Sequence, residues 1–140
     1  MAGAKQGGTN RGRSLKNVGA SMGEIIGTGV DVIEISRIRR AVERWGEDFL
    51  RHIFTDRERR RLLTYKRPYP HYAVRFAAKE AVYKALPCQE EVGWKDLEIL
   101  NDDQGRPYVL CHRKDFSGRI FISLSHSRDY AVASAIITEG

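Results

Sequence analysis

The stretch Arg75-Phe-Ala-Ala-Lys-Glu-Ala-Val-Tyr-Lys-Ala-Leu86 decides the fold of this 140-residue chain. Its alanines are strong helix formers, and neither glycine nor proline interrupts them. Prolines stand on either side of Tyr69, so the helix is predicted to begin near Tyr69 or His71, and Pro87 is predicted to end it. Because small and apolar residues surround much of this helix, we expect it to be largely buried.

Glu80 and Lys84 lie one helical turn apart within this apolar pattern. A carboxylate in apolar surroundings needs a cation or a metal as its partner. One interpretation is an exposed ion pair between residues four apart, worth about 0.3–0.5 kcal/mol. The other is a metal-binding carboxylate followed by a phosphate-binding lysine. The spacing does not decide between them, and Lys79, which points elsewhere on the helix, has a structural or a functional role on equal grounds.

Length, composition and cysteine content exclude several classes of protein. A chain of 140 residues with 41% hydrophobic residues predicts one globular domain. The two cysteines follow no metal-binding spacing and are too few for a disulfide framework, which makes a reduced, cytoplasmic setting the default. The apolar run Ala131 to Ile137 is far shorter than the roughly 20 residues that a membrane helix needs. The N-terminus has no apolar signal core.

The net charge of +6 is unevenly distributed along the chain. Residues 37–61 contain nine arginines and five acidic residues, whereas the part after them is nearly neutral. Such a segment suits an acidic protein partner at least as well as a nucleic-acid backbone. A small basic nucleic-acid-binding module is therefore an alternative interpretation of the chain. The aromatic residues near these arginines occupy core-like positions, however, and are not interleaved for base stacking.

The N-terminal part divides into a tail, a strand and a helix. Residues 1–23 are rich in Gly, Ser, Asn and Lys and are predicted to be a disordered tail, with residues 24–140 as the folded domain. Residues 24–33 are predicted to form a strand that ends near Asp31. An aspartate at a strand–helix junction is most often a helix N-cap, so a cap is the first interpretation of Asp31. A helix is predicted to follow over residues 34–45.

Residues 37–65 contain an arginine-rich helix face and the start of a second helix. Arg37, Arg40 and Arg44 share one face of the helix, which by itself is typical of a solvated surface. Thr55-Asp-Arg-Glu58 has the form of a capping box and is predicted to start a second helix that runs toward Tyr65.

After Pro87 the sequence changes to short apolar runs separated by turn residues. Leu97 and Ile99 mark a first strand, with Trp94 as a candidate for its start. Further strands are predicted over residues 108–111, 119–125 and 130–138. A strand, then helices, then a run of strands predicts an α+β fold, with helices packed on one face of a mainly antiparallel sheet.

These motifs, in this order, resemble those of the holo-[acyl-carrier-protein] synthases, which are bacterial 4′-phosphopantetheinyl transferases. The matching motifs are Gly29-Val-Asp-Val32 followed by Glu34 and Arg37, Arg75-Phe-Ala-Ala-Lys-Glu-Ala, Lys84-Ala, Gly105-Arg-Pro107 and Ser123-Leu-Ser-His126. The resemblance covers nearly all of residues 24–138. It implies transfer of the 4′-phosphopantetheine arm of coenzyme A to a serine of apo acyl carrier protein, with release of adenosine 3′,5′-bisphosphate. That reaction belongs to cytoplasmic fatty acid biosynthesis.

The resemblance also implies the roles of particular residues. Asp31 and Glu80 would hold Mg²⁺, a hard cation that prefers oxygen ligands. The catalytic residues would be Glu80, Lys84 and His126, and coenzyme A would contact Lys84, Gly105, Pro107, Ser125 and His126. His126 has three open interpretations, as an exposed turn residue, as a contact to a coenzyme A phosphate, or as an aid in deprotonating the serine.

The partners follow from the same resemblance. Arg37 and Arg44 would bind an acidic acyl carrier protein, and the chain would form a homotrimer with active sites between subunits. Nucleic acid and membrane are not expected as partners. The sequence departs from the family where Pro87-Cys-Gln-Glu90 replaces a Gly-Thr-Gly type turn. Because Pro87 has no backbone N–H for a phosphate, the resemblance does not carry coenzyme A contacts over to this loop.

Overall fold

The computed structural model describes residues 23–87 and 91–140. The predicted tail, apart from Gly23, lies outside them. The elements are β1 (Ile25–Glu34), α1 (Ile35–Trp45), α2 (Glu47–Ile53), α3 (Asp56–Leu62), α4 (Pro68–Ala85), a 3₁₀ turn (Trp94–Asp96), β2 (Leu97–Asn101), β3 (Pro107–Cys111), β4 (Arg119–His126) and β5 (Tyr130–Thr138). The predicted α+β fold is confirmed. No helix among the described residues is long and apolar enough to cross a membrane.

The strands form two antiparallel sheets rather than one. The larger sheet has the order β1-β5-β4, and β2 pairs with β3. Because side chains alternate along a strand, the larger sheet has two distinct faces. The buried alanines of β5 lie on the face that α4 covers. On the other face Val30, Val32, Phe121 and Ile136 are between 40% and 60% exposed.

The central helix α4 approaches β1 closely because glycines face it. A Cβ atom on Gly29 would collide with the carbonyl oxygen of Ala81, and one on Gly27 would collide with that of Ala85. Moving along β1 from Gly27 to Gly29, the contact on α4 moves back from Ala85 to Ala81, so α4 is antiparallel to β1. The missing side chains therefore set both the distance and the level at which the helix lies against the strand.

The ends of α4 follow the prolines on either side of it. The helix begins at Pro68, before Tyr69 and His71, because both prolines lie in its first turn, where backbone N–H groups have no helical partner. It ends at Ala85, and Leu86 is extended. An extended residue before Pro87 is the conformation that proline imposes on its predecessor, as predicted.

Other boundaries correct the sequence analysis. The interpretation of Asp31 as an N-cap is wrong, because β1 continues past it and Glu34 occupies the N-cap position of α1. The capping box of Thr55 and Glu58 is confirmed, but α3 ends at Leu62, before Tyr65. Trp94 begins the 3₁₀ turn and is not part of a strand. Helix α2 was not predicted.

Candidate active site

Asp31 and Glu80 line one groove between β1, α1 and α4, with a volume of about 290 Å³. Both carboxylates are half-buried. Arg37 lines the same groove, and apolar side chains such as Phe49 and Phe76 form much of its wall. The fold thus joins two acidic residues that are 49 positions apart in the chain, and it adds a cationic residue beside them.

The electrostatics of the groove favour a bound cation. Burial raises the pKa of Glu80, the charge of Asp31 raises it further, and Lys84 lowers it. The two carboxylates are therefore close enough to repel each other. Among residues 23–87 and 91–140, no group of three or more His, Cys, Asp or Glu side chains could hold a metal. A pair of carboxylates completed by water and substrate phosphates is the donor set that Mg²⁺ commonly uses in proteins.

Lys84 reaches this carboxylate pair from the next turn of α4. Its Nζ lies 3.3 Å from Oδ1 of Asp31 and donates a hydrogen bond of 3.0 Å to the carbonyl oxygen of Val30. Side chains on a helix tilt toward its N-terminus, so Lys84 points back to the level of Asp31. The lysine thus pairs with the carboxylate of the strand. Its side chain is 52% exposed, so a phosphate can approach it from solvent.

His126, at the end of β4, belongs to a second group of residues, which we call the basic cluster: Arg61, Tyr65, His71, Arg75 and His126. The rings of His126 and His71 are 5.9 Å apart, and His71 stacks on Tyr65 at 3.6 Å. The guanidinium groups of Arg61 and Arg75 each lie 5.8 Å from the centre of the Tyr65 ring. Helices α3 and α4 and strand β4 therefore bring basic side chains to one place.

The pKa shifts in the basic cluster reflect this accumulated positive charge. Burial lowers the pKa of His71, and the charges of Arg75, His126 and Arg61 lower it further. Burial alone would raise the pKa of Tyr65, but the hydrogen bond from Arg61 and the charges of both arginines lower it overall. A place that disfavours further positive charge in this way is suited to an anion.

The turn between β2 and β3 adjoins the basic cluster. Arg75 donates a hydrogen bond of 3.0 Å to the amide oxygen of Asn101, whose own Nδ2 donates to the carbonyl oxygen of Gly105 at 3.0 Å. Gly105 has a φ angle of 83°, a conformation that favours glycine, and Pro107 begins β3.

Ser125 lies apart from the other residues predicted to contact coenzyme A, because it is on the open face of the larger sheet, opposite the face that His126 occupies.

The sequence-predicted site residues therefore fall into two places in one copy of the chain. Asp31 and His126 pair with Ala133 and Ala131 of β5, on opposite sides of that strand. With strands about 4.8 Å apart and a rise of about 3.3 Å per residue, their backbones are about 12 Å apart. Asp31, Glu80 and Lys84 come together, and His126 is separate from them.

Sequence reasoning missed most of the basic cluster. Arg61, Tyr65 and His71 were not recognised as site residues, and Arg75 was noted only as part of a motif. The available signal was an arginine between Val74 and Phe76 in a helix predicted to be buried, because a buried guanidinium needs polar partners. Helix periodicity could not identify those partners, since several come from outside α4.

Residues 27–135 match the family model of the 4′-phosphopantetheinyl transferase superfamily. A holo-[acyl-carrier-protein] synthase of Thermodesulfovibrio yellowstonii is 43% identical over 114 residues, which are 81% of this chain and 99% of that protein. One of Chlorobaculum tepidum is 46% identical over 110 residues, 77% of this chain and 94% of that protein.

A solved structure gives the same result at the level of the fold. The crystal structure of a holo-(acyl-carrier-protein) synthase from Bacillus anthracis in complex with CoA (3′,5′-ADP) aligns with a TM-score of 0.74 and 33% identity. The alignment covers 86% of this chain and 100% of that one. The chain therefore belongs to the 4′-phosphopantetheinyl transferase superfamily. Within it, the chain belongs with the holo-[acyl-carrier-protein] synthases.

Proposed function

We propose that this protein transfers the 4′-phosphopantetheine arm of coenzyme A to a serine of apo acyl carrier protein and releases adenosine 3′,5′-bisphosphate. The observation that carries the proposal is the groove with Asp31 and Glu80 in its wall and Lys84 beside them. Membership of the holo-[acyl-carrier-protein] synthases supports it. The alternative of a nucleic-acid-binding module has no support among the relatives.

In this proposal Asp31 and Glu80 hold Mg²⁺. The repulsion between the two carboxylates, which raises the pKa of Glu80, supports a cation between them. When bound, Mg²⁺ supplies charge neutralisation at the pyrophosphate whose P–O bond breaks. Lys84 binds a phosphate oxygen as a point charge.

The basic cluster binds a second phosphate group of coenzyme A. The ring of His71 lies 5.9 Å from that of His126, and the charges of both arginines of the cluster act on His71, which supports a phosphate contact for His126. The separation of about 12 Å from Asp31 argues against His126 as the base for a serine that reacts in the groove of the same copy. Gly105 and Pro107, next to the cluster, contact coenzyme A through the backbone.

The family resemblance implies assembly into a homotrimer, and the open face of the larger sheet is consistent with it. Its exposed apolar side chains, including Val30, Val32, Phe121 and Ile136, form a surface that a second copy would cover. Ser125 lies on this face, so its contact with coenzyme A would occur at an interface between copies. We place the protein in the cytoplasm, in fatty acid biosynthesis.

Mass spectrometry of apo acyl carrier protein tests the reaction. After incubation with this protein, coenzyme A and Mg²⁺, we expect the carrier protein to gain the mass of one 4′-phosphopantetheine group. A reaction without coenzyme A is the control. An unchanged mass, together with salt-sensitive binding of RNA that coenzyme A does not affect, would support the nucleic-acid-binding module instead.

A further inference from the structure

Lys79 and Glu58 form an ion pair outside the groove, and their side chains are 0% exposed. The Lys79 ammonium donates hydrogen bonds of 2.7 Å to Oε1 of Glu58, 2.8 Å to the carbonyl oxygen of Ile53 and 3.0 Å to that of Trp94. An ammonium group has three N–H donors, so all of them are used. The acceptors lie in α3, at the end of α2 and in the 3₁₀ turn, so Lys79 ties α4 to three other elements.

Glu58 is itself held by backbone groups. Its Oε1 accepts a hydrogen bond of 2.9 Å from the backbone N–H of Thr55, which closes the capping box of α3. Its Oε2 accepts one of 2.7 Å from the backbone N–H of Ile99 on β2. The Glu58 carboxylate that accepts the hydrogen bond from Lys79 is therefore held by backbone N–H groups of Thr55 and Ile99. These two hydrogen bonds fix the rotamer of the Glu58 side chain.

The face of α4 toward the sheet carries mainly alanines, namely Ala77, Ala78, Ala81 and Ala85. Dispersion contacts between small apolar groups have no preferred direction. Glu80 follows Lys79 by one residue, so a rotation of α4 that strains the Lys79 hydrogen bonds turns Glu80 by the same angle. At about 5–6 Å from the helix axis, a rotation of about 10° moves a carboxylate by about 1 Å. A displacement of this size matters at a functional site.

We propose that Lys79 is a positioning residue for Glu80: the buried Lys79–Glu58 pair holds α4 in the rotation that turns Glu80 toward Asp31. The inference rests on the proposed function, because it assigns the consequence of the pair to the metal site. Lys79 does not touch the substrate or the metal in this role.

The experiment compares metal binding with stability in matched variants. Lys79→Met leaves the Glu58 carboxylate buried without its lysine, which is costly for folding. A second variant, Lys79→Met combined with Glu58→Gln, removes both charges and keeps an amide oxygen for Ile99. Thr55→Ala is the control, because it removes the side-chain cap of α3 and lowers stability without removing an acceptor of Lys79. Binding of Mn²⁺ in the presence of coenzyme A is measured by electron paramagnetic resonance, and melting temperature by circular dichroism.

We expect the double variant to bind Mn²⁺ about 10-fold or more weakly than the unmodified protein, and Thr55→Ala to bind it equally well despite a lower melting temperature. Equal Mn²⁺ affinity in the folded double variant and the unmodified protein would overturn the inference. Asp31→Ala distinguishes this outcome from a failure of the proposed function. If the unmodified protein and Asp31→Ala bind Mn²⁺ equally, the metal site itself is wrong, and the role of Lys79 falls with it.

Discussion

At the scale of single residues, Asp31 and Glu80 are the groups on which the proposed chemistry depends. They repel each other in the absence of a cation, and Glu80 is half-buried. Such an arrangement costs stability, and its presence at the wall of a groove is typical of a functional site. Function and stability should therefore respond in opposite ways when Glu80 is removed.

We expect Asp31→Ala and Glu80→Ala each to reduce transfer by about 100-fold or more, because each removes a ligand of the metal that neutralises the reacting phosphates. The melting temperature should stay the same or rise for Glu80→Ala, since a repulsion is removed. The measurement is initial-rate kinetics at limiting Mg²⁺, with the exposed Asp103→Ala as the control. Full activity in either variant would remove that residue from the site.

Glu98 offers a test of stability that is independent of the active site. Hydrogen bonds from Arg57 hold its pKa at about 2, assisted by Thr55 and His112 against the opposing effect of burial. A carboxyl group whose pKa is lower in the folded than in the unfolded protein stabilises the fold above its unfolded value of about 4.5, and that contribution is lost as pH falls toward 2.

We therefore expect Glu98→Gln to lower the free energy of unfolding at pH 7 by an amount on the order of 3 kcal/mol. The difference from the unmodified protein should shrink between about pH 5 and pH 2, where the unfolded carboxyl group is protonated. Urea unfolding at pH 7 and pH 3 measures it, with the exposed Asp103→Asn as the control. A difference that is the same at both pH values would mean that Glu98 acts through packing alone.

At the scale of elements, the contact between α4 and β1 determines where the proposed catalytic groups meet. Gly29→Ala would push Cβ into the backbone of Ala81, so the helix must move away from the strand. We expect a loss of about 1–3 kcal/mol in stability and a loss of activity, because Glu80 and Lys84 move with the helix. Gly93→Ala is a matched control, since a Cβ atom there meets only an ordinary contact of 3.6 Å. Thermal melting and transfer assays on both variants measure the two effects.

Helix α1 carries the expected binding surface for the carrier protein. Arg37 lines the groove, and Arg44 lies exposed two turns further on, against Trp45. We expect Arg37→Glu combined with Arg44→Glu to raise the KM for carrier protein severalfold and to leave the KM for coenzyme A nearly unchanged. The effect should shrink at high salt, because screening acts over about 10 Å at 0.1 M. Arg60→Glu is the comparison variant; if it alone raises the KM, the carrier protein binds to α3.

The sequence predicted some elements well for identifiable reasons. The alanines of α4 and the regular alternation of β5 identify those elements from local chemistry, and β5 has the predicted bounds, Tyr130–Thr138. Helix α2 has only seven residues, and Gly46 at its N-cap offers no capping side chain, so its local signal is weak. Its burial depends on tertiary contacts, which periodicity does not report.

The site was less predictable than the fold, because it depends on distant pairs. No spacing rule joins Asp31 to Glu80, and only the family resemblance suggested the pair. The burial of Lys79 depends on acceptors from three other elements, so the helix pattern could not distinguish a structural from a functional role. The same limit explains why Arg61 and His71 were missed.

At the scale of the whole molecule, the open face of the larger sheet is the surface through which the expected homotrimer would assemble. We expect a homotrimer at micromolar concentration, and we expect Ile136→Asp to convert it into monomers, because a carboxylate cannot be buried among apolar side chains without a partner. Activity should be lost when the trimer dissociates into monomers, since the proposed sites lie between copies. Leu63→Asp is the control, because Leu63 is 73% exposed on a different surface. Sedimentation that shows only monomer for the unmodified protein would contradict the proposal.

The junction of β1 and α1 has a consequence for how specificity can evolve. The strand ends at Glu34 and the helix begins at Ile35, so no loop separates Asp31 from the arginine face. An exchange of surface side chains along α1 can alter which carrier protein binds and leave Asp31 in place. An insertion or deletion at the junction would rotate the helix and shift the strand together. Descendants of this chain can therefore acquire new partners by substitution, whereas a change of length at this junction would disturb the chemistry as well.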